Sequence, residues 1–574
     1  MGVRRRCGPH DPADHPGTPH ARDASTECRV TRRRLTVAVV ACATALGSVA
    51  SLTALSVFSP VTTAVQADTV VEPTPSAATQ DPSPSASQSP AKIENVVFII
   101  ADDLDWELFR QIPRLAELQD QGVTFTNHTV VDSLCCPSRV SILRSQYIHN
   151  HLVISNLEET GGGWATFTKR NEQVSNLPVW LSNAGVRTGM FGKYLNGYPD
   201  RDALTYIPPG WDEWAVPTTR GESYSGYDYT LNVNGKLEDF GRRPVDFLND
   251  VITRKATAFI RESSGPFFAM LSTYSPHKPS PIANRNKETH GVTGAPRTPT
   301  YNAFGVNEPP WLQRFRARTD EQQAGDDRIW RRRAQSAESV ADSVGAVLFA
   351  LRDSGKAENT LVVISADNGY HLGHFRLPKG KRTPYAFDTV VPLVMVGPGV
   401  IPGTRISAMT SAIDLAPTFT EIFGRQAPAW VDGRSLKPFV DTGQAPVPWR
   451  TGVLSESLGE SGPGDPDYQR GNPPQFDALR TEKWLYVEYK DGSRTLYDRE
   501  SDPYELVNLM PVADPALVAQ LAAQTRALAA CAGPQCRVAD MMPVVGETPA
   551  LPTATPTPTE SPSVTPAPSP SPTS

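Results

Sequence analysis

The sequence predicts an α/β fold: a large mixed, mostly parallel sheet flanked by helices, followed by a small C-terminal α+β subdomain. Three observations carry this expectation. Apolar, β-favouring runs alternate with helix-like segments through the middle of the 574-residue chain, the pattern of strands covered on both faces by helices. Four of these runs, "NVVFIIADD", "RTGMFGKY", "GPFFAMLSTYSPH" and "TLVVISADNG", end in a polar cluster. Beyond residue 425 the style changes: "EKWLYVEYKDGSRTLYD" reads as a hairpin with Asp491-Gly492 at its turn, and "DPALVAQLAAQTRALAAC" as an amphipathic helix.

The strand endings point to a site. If the strands are parallel, their polar ends lie along one edge of the sheet, where open α/β sheets build their crevices. Asp102 and Asp103, Lys193, His277, and Asp367 with Asn368 would then meet. One acidic residue after a strand is usually solvated or caps a helix. Four such endings together argue for chemistry.

The two ends of the chain have a different composition. "TRRRLTV" leads into an uncharged run from Leu35 to Phe58 and then "TTAVQAD", the layout of a signal peptide over residues 1–67 cleaved after Ala67. Arg32-Arg33 also suits a twin-arginine export signal. The competing reading is a retained anchor, since a span needs about 20 apolar residues; Cys42 as a lipidated residue is a weaker third. Each puts the body of the protein outside the cytoplasm, secreted or at the cell surface, with membrane contact only through an uncleaved anchor. Residues 68–92 are a Pro/Ser-rich linker and 546–574 a Pro/Thr/Ser-rich disordered tail. They bound a catalytic domain at 93–425 and a C-terminal subdomain at 426–545. A formal net charge of -6 gives no general attraction to nucleic acid, while a local basic pocket for an anion stays open.

Cysteine usage narrows the chemistry. Of seven cysteines, Cys7, Cys28 and Cys42 go with the leader, and Cys531 and Cys536 are spaced for a local disulfide in an exported protein. Cys135 and Cys136 remain, in "VVDSLCCPSRVSILRSQYIHNH". A disulfide between neighbours is strained and rare, and His149 and His151 do not complete a common structural zinc pattern. A nucleophile fits better: Pro137 suits the first turn of a helix through "SRVSILRS", which puts Cys135 at an N-terminus whose free N–H groups favour an anion. Arg139 adds a fixed cationic fork for a tetrahedral oxyanion.

The order Cys135, Cys136, Pro137, Ser138, Arg139 resembles the signature of the type I sulfatases of the alkaline phosphatase superfamily. The resemblance extends over nearly all of residues 93–510, through "ADD", "GKYLNGY", "IPPGWDEW", "ADNGYHLG", "KGKRTPYAFDTVVPLVMVGPG" and "LYDRESDPYELVNL". The double cysteine with "YIHNH", "GKYLN" and "FRLPKGKR" looks most like the N-acetylglucosamine-6-sulfatase branch. The resemblance implies an alkaline phosphatase-like fold and a sulfuric ester hydrolase acting on a sulfated glycan or small sulfate ester. Its nucleophile would be Cα-formylglycine, made from Cys135 by the formylglycine-generating enzyme. The implied Ca²⁺ site, which Mg²⁺ would also suit, is Asp102, Asp103, Asp367 and Asn368 with an oxygen from modified Cys135; hard oxygen donors agree with that. Arg139, Lys193 and Lys381 would surround the sulfate, with Lys379 the rival to Lys381, and His277 would protonate the leaving alcohol. Where many relatives have a His two residues after the active-site Lys, this chain has Leu195, followed by Asn196. His149, His151 and Asn196 are candidates for contacting the sugar, and either histidine for the second-step base or for core packing. The alternatives are a phosphonate or phosphodiester hydrolase on the same scaffold, or a catalytically silent surface glycan-binding relative.

Overall fold

The computed structural model describes residues 92–291, 294–459 and 472–544. The leader, the linker apart from Lys92, and the tail lie outside the described residues, as do Cys7, Cys28 and Cys42. Among the described residues, no helix is long and apolar enough to cross a membrane.

The strand Asn95–Asp102 lies near the middle of a ten-stranded sheet among the described residues. It pairs in parallel with Phe267–Pro276 on one side and Thr360–Ala366 on the other. Arg187–Gly192 continues the parallel run beyond Phe267–Pro276, and Glu213–Gly221 beyond that. On one flank follow the antiparallel strand Leu393–Val396, then Val123–Phe125 and, parallel to it at the edge, Arg405–Ile406; on the other, the antiparallel strands Tyr229–Val233 and Lys236–Phe240. The mixed, mostly parallel sheet is thus the one expected.

The burial explains the sequence pattern. Every residue of Asn95–Asp102, Phe267–Pro276 and Thr360–Ala366 is buried, so these strands read as continuous apolar runs instead of alternating ones. Helices Leu248–Glu262 and Asp320–Asp353 cover the strand Phe267–Pro276. The longer one starts at a reciprocal cap, in which Thr319 accepts from the Gln322 amide and Gln322 from the Thr319 amide.

The C-terminal region forms a four-stranded antiparallel sheet, Gly452–Ser457, Phe476–Thr481, Trp484–Tyr489 and Arg494–Asp498. The turn sits at Asp491-Gly492, where Gly492 has φ +87°, a conformation that favours glycine. Helix Pro515–Ala529 is capped by Asp514, and Cys531 is bonded to Cys536. This sheet shares a hydrophobic cluster with Val131 and Tyr147, which flank the segment holding Cys135, and with Ile413.

Candidate active site

Four parallel strands deliver four polar endings to one place because their register is nearly level. Ala101 lies opposite Ala366, Asp102 opposite Pro276, and Gly192 opposite Ser272. The register slips between Ile100 and Asp102, an irregularity of the kind that re-aims side chains beside sites. Asp103 then takes a left-handed backbone, φ +63°, held by its N–H donating to Asp367 Oδ1 at 3.1 Å. Arg333 of the long helix donates to the Asp103 carbonyl and to Asp105 Oδ2, both at 2.8 Å. At Gly192 a Cβ would lie 1.9 Å from the Ser272 carbonyl oxygen, so only glycine permits the approach that sets Lys193 in place.

Cys135 opens the helix Cys135–Arg144, which has no side-chain cap and no acidic residue in its first turn. Its N-terminal dipole therefore faces the crevice without a compensating carboxylate of its own. Cys135 Sγ lies 3.4 Å from Asp102 Oδ1 and 2.8 Å from Lys381 Nζ. Lys381 also donates to Asp103 Oδ1 at 2.6 Å, and Lys193 to Asp102 Oδ2 at 2.5 Å. Of the two lysines in "KGKR", Lys381 reaches the cluster and Lys379 is exposed. Arg139 donates Nε to Asp367 Oδ2 at 2.8 Å and Nη1 to Ser272 Oγ at 2.6 Å. His277 holds its ring with Nδ1 2.6 Å from the Lys278 carbonyl, leaving Nε2 3.8 Å from Asp103 Oδ2. Nδ1 is thus the protonated nitrogen and Nε2 the one turned toward the cluster. Tyr224 packs against the His277 ring, centroids 4.8 Å apart.

Packing these charges out of water has consequences. Burial acts against ionised Asp102, but Lys193, His277, Arg139 and Lys381 outweigh it and hold the carboxyl well below its usual range. Lys193 is correspondingly held well above its usual value: burial would lower it, and Asp102 overrides that. Asp367 is pushed up by burial and by the neighbouring Asp102 charge. Burial, with Asp102, raises the Cys135 thiol well above the usual thiol range, so unmodified Cys135 is a protonated thiol and a poor nucleophile. Cys136 turns into the hydrophobic core, and burial pushes its thiol up to about 12.

The cluster could hold a metal ion. One ligand atom each from Asp102, Asp103, Cys135 and His277 lie within 4.8 Å of one another, all buried. Asp103 Oδ2 and Asn368 Oδ1 are buried without a hydrogen-bond partner, although Asn368 Nδ2 donates to Asp103 Oδ1 at 2.7 Å. Unpaired buried oxygens are costly, and a cation is one partner that satisfies several at once.

A cleft of about 880 Å³ opens beside Lys193, lined among others by Asn156, Trp164, Asn196, Tyr198, Tyr224 and Tyr274. Asn196 thus faces the cleft. The two histidines do not line it. His149 Nδ1 pairs with Glu456 at 2.9 Å and its Nε2 lies 2.9 Å from the Cys531 carbonyl, tying the segment after the Cys135 helix to the C-terminal region. His151 is fully buried, with Nε2 2.8 Å from Ser141 Oγ and Nδ1 accepting from the Val153 amide; burial lowers its pKa well below the usual value. Sequence reasoning did not find Ser272 or Tyr224. Ser272 lies inside a strand buried on both faces, where no alternation marks it, and Tyr224 sits in the short 3-10 helix Ser223–Ser225 with no strand-end signal.

Residues 94–425 match the family model described as Sulfatase, and 378–530 match N-sulphoglucosamine sulphohydrolase, C-terminal. N-acetylglucosamine-6-sulfatase of Capra hircus is 34% identical over 478 residues, covering 77% of this chain and 84% of the goat protein. Among solved structures, one described as bound to its substrate D-glucosamine-2-N,6-O-disulfate has a TM-score of 0.60 at 21% identity, over 73% of this chain and 94% of its own. Phosphonate monoester hydrolase from Silicibacter pomeroyi has a TM-score of 0.57 at 24% identity, over 78% and 96%. These two likenesses establish the alkaline phosphatase-like fold.

Proposed function

Since the chain belongs to the sulfatase family and is a sulfuric ester hydrolase, we propose that it removes the sulfate of a 6-sulfated glucosamine-type sugar, using formylglycine made from Cys135. One observation carries this reading: Cys135 lies at a helix N-terminus among the ends of four strands, its Sγ within 3.4 Å of Asp102 and 2.8 Å of Lys381. The sugar is taken from the likeness to N-acetylglucosamine-6-sulfatase.

Asp102, Asp103, Asp367 and Asn368, with the Cys135-derived oxygen, would hold Ca²⁺ or Mg²⁺, and His277 adjoins that set. A bound dication supplies Lewis-acid neutralisation of sulfate and nucleophile charge. The remaining steps belong to the chain's own side chains. Lys193, Lys381 and Arg139 supply fixed positive charge around the sulfate oxygens, where preorganised cations favour the transition state most. One hydroxyl of the hydrated Cys135 aldehyde passes its proton to Asp367, whose carboxyl burial pushes up, and attacks sulfur as the sulfur–oxygen bond to the sugar breaks. In its imidazolium form, with Nδ1–H kept on the Lys278 carbonyl, His277 gives the leaving oxygen the proton from Nε2. The second hydroxyl then gives its proton to the now neutral His277 Nε2, its electrons form the C=O bond as the carbon–oxygen bond to sulfate breaks, and water rehydrates the restored aldehyde. A plain alcohol at this position would stop at a stable sulfate ester.

The test is the mass of the tryptic peptide containing Cys135, together with sulfate release, in protein made with the converting enzyme. The aldehyde is expected in active protein, and an unmodified thiol in fully active protein would end this reading. Cys135→Ala is expected to lose at least about a thousandfold in turnover, while Cys136→Ala, which alters core packing, keeps most of it.

A further inference from the structure

We infer that the cleft selects sugars whose only anionic group is the sulfate to be removed, and that Glu158, Glu159, Asp200 and Glu222 are the residues that impose this. The inference rests on the sugar-sulfatase reading above and adds to it the charge class of the substrate.

The observation is a reversal of charge along one cavity. Around Cys135 the cations Arg139, Lys193 and Lys381 gather, buried. Outward along the same cleft, the charged lining residues beyond Lys193 are Glu158, Glu159, Asp200 and Glu222, against the single guanidinium of Arg201. All five are exposed, so their charges act on what enters and are not absorbed by the core. Lys169 and Arg170 line a separate depression on the far side of Glu158, and Arg170 is paired with Glu172 at 3.2 Å. The rest of the wall near the reacting centre offers neutral groups: Asn156, Asn196, Thr218 and Ser223 for sugar hydroxyls or an acetamide, and the Tyr224 ring as an apolar face.

Such a wall treats substrates differently beyond the ester sulfate. A neutral acetamido sugar meets hydrogen-bonding groups, and a free ammonium sugar meets favourable carboxylates. A second sulfate or a uronate meets an excess of negative charge, and like charges at close quarters act against the wrong ligand more strongly than contacts favour the right one. Because the four carboxylates are solvent-exposed, the discrimination is screened by salt, over about 8 Å at physiological ionic strength.

The experiment uses the full-length, aldehyde-bearing enzyme and measures kcat/KM on N-acetylglucosamine-6-sulfate, glucosamine-6-sulfate and glucosamine-2-N,6-O-disulfate at low and high NaCl. The two singly sulfated sugars are expected to exceed the disulfate by about tenfold or more at low salt, with the gap narrowing as salt rises. The combined variant E158Q/E159Q/D200N/E222Q, checked for an unchanged thermal midpoint, is expected to narrow the same gap at low salt. A disulfate cleaved as well as the singly sulfated sugars, or a gap insensitive to both salt and the four substitutions, overturns this inference while leaving the sugar-sulfatase reading intact. Turnover of p-nitrophenyl sulfate with none of any sugar sulfate overturns the parent reading, and this one with it.

Discussion

Two of the buried charge clusters among the described residues are finished to different degrees. In the cluster of the C-terminal half, Arg450 clamps Asp414 with Nη1 and Nη2 at 2.8 and 2.7 Å. The same carboxylate accepts from the Ser411 and Arg434 amides at 2.8 and 3.0 Å. Each oxygen of Asp414 therefore has two donors. The groups there that lack a hydrogen-bond partner are two guanidinium nitrogens and a hydroxyl, Arg450 Nε, Arg434 Nε and Ser411 Oγ, with Arg450 Nε 3.1 Å from Asp540 Oδ2, whereas at the strand ends two acceptor oxygens, Asp103 Oδ2 and Asn368 Oδ1, are buried without one. Folded proteins pair nearly all such groups, so the closed cluster reads as architecture and the open one as a place prepared for something else. The contrast predicts that substitutions in the open cluster act on turnover and those in the closed cluster on stability.

The largest expected effect tests the open cluster. His277→Ala should reduce sugar-sulfate turnover by about 10²- to 10⁴-fold, the usual share of a general acid. The loss should be much smaller on p-nitrophenyl sulfate, whose leaving group departs without a proton. Equal losses on both substrates would mean that His277 holds the site's shape and does not donate the proton. The thermal midpoint is the control and should change little.

Next comes the closed cluster. Arg450→Ala leaves Asp414 buried without its guanidinium, and breaking such a pair costs about 3–5 kcal/mol. The unfolding free energy from urea titration should fall by that amount, with a lower midpoint at unchanged m, while kcat per folded molecule stays near the parent value. A variant with parental stability and impaired kcat would erase the distinction between the clusters.

The open cluster was largely legible in the sequence, and the closed one was not. Asp102, Asp103, Lys193, His277, Asp367 and Asn368 each directly follow or end an apolar run, and a parallel sheet brings such endings together whatever separates them in sequence. Cys135 was legible from Pro137, which marks the helix start behind it, while Lys381 came from the family resemblance. Asp414 and Arg450 stand 36 positions apart in segments with no periodicity to pair them, so nothing local foretold the clamp. His149 and His151 show the same limit: two residues apart on one short helix, they looked equivalent. Only the fold brings Glu456, 307 positions away, to one of them and leaves the other in the core with Ser141.

The smallest effect concerns a third buried charge, which belongs to neither cluster. Glu308 is 4% exposed and neither carboxylate oxygen has a hydrogen-bond partner by strict geometry. Burial pushes its carboxyl up to about 8; the Gly305 amide pulls it down and Asp502 pushes it further up. The folded state thus keeps a proton that an unfolded glutamate releases near 4.5, and the linkage sign follows: stability is greatest below the unfolded value and declines as pH rises toward the folded one. The decline is on the order of a few kcal/mol at most. Glu308→Gln removes the titrating proton, so the variant should gain urea stability relative to the parent as pH climbs from about 5 to about 8, with turnover unchanged. Parallel stability curves across that window would mean that the carboxylate has a partner in solution. Glu308 would then stand with the closed cluster as a satisfied group.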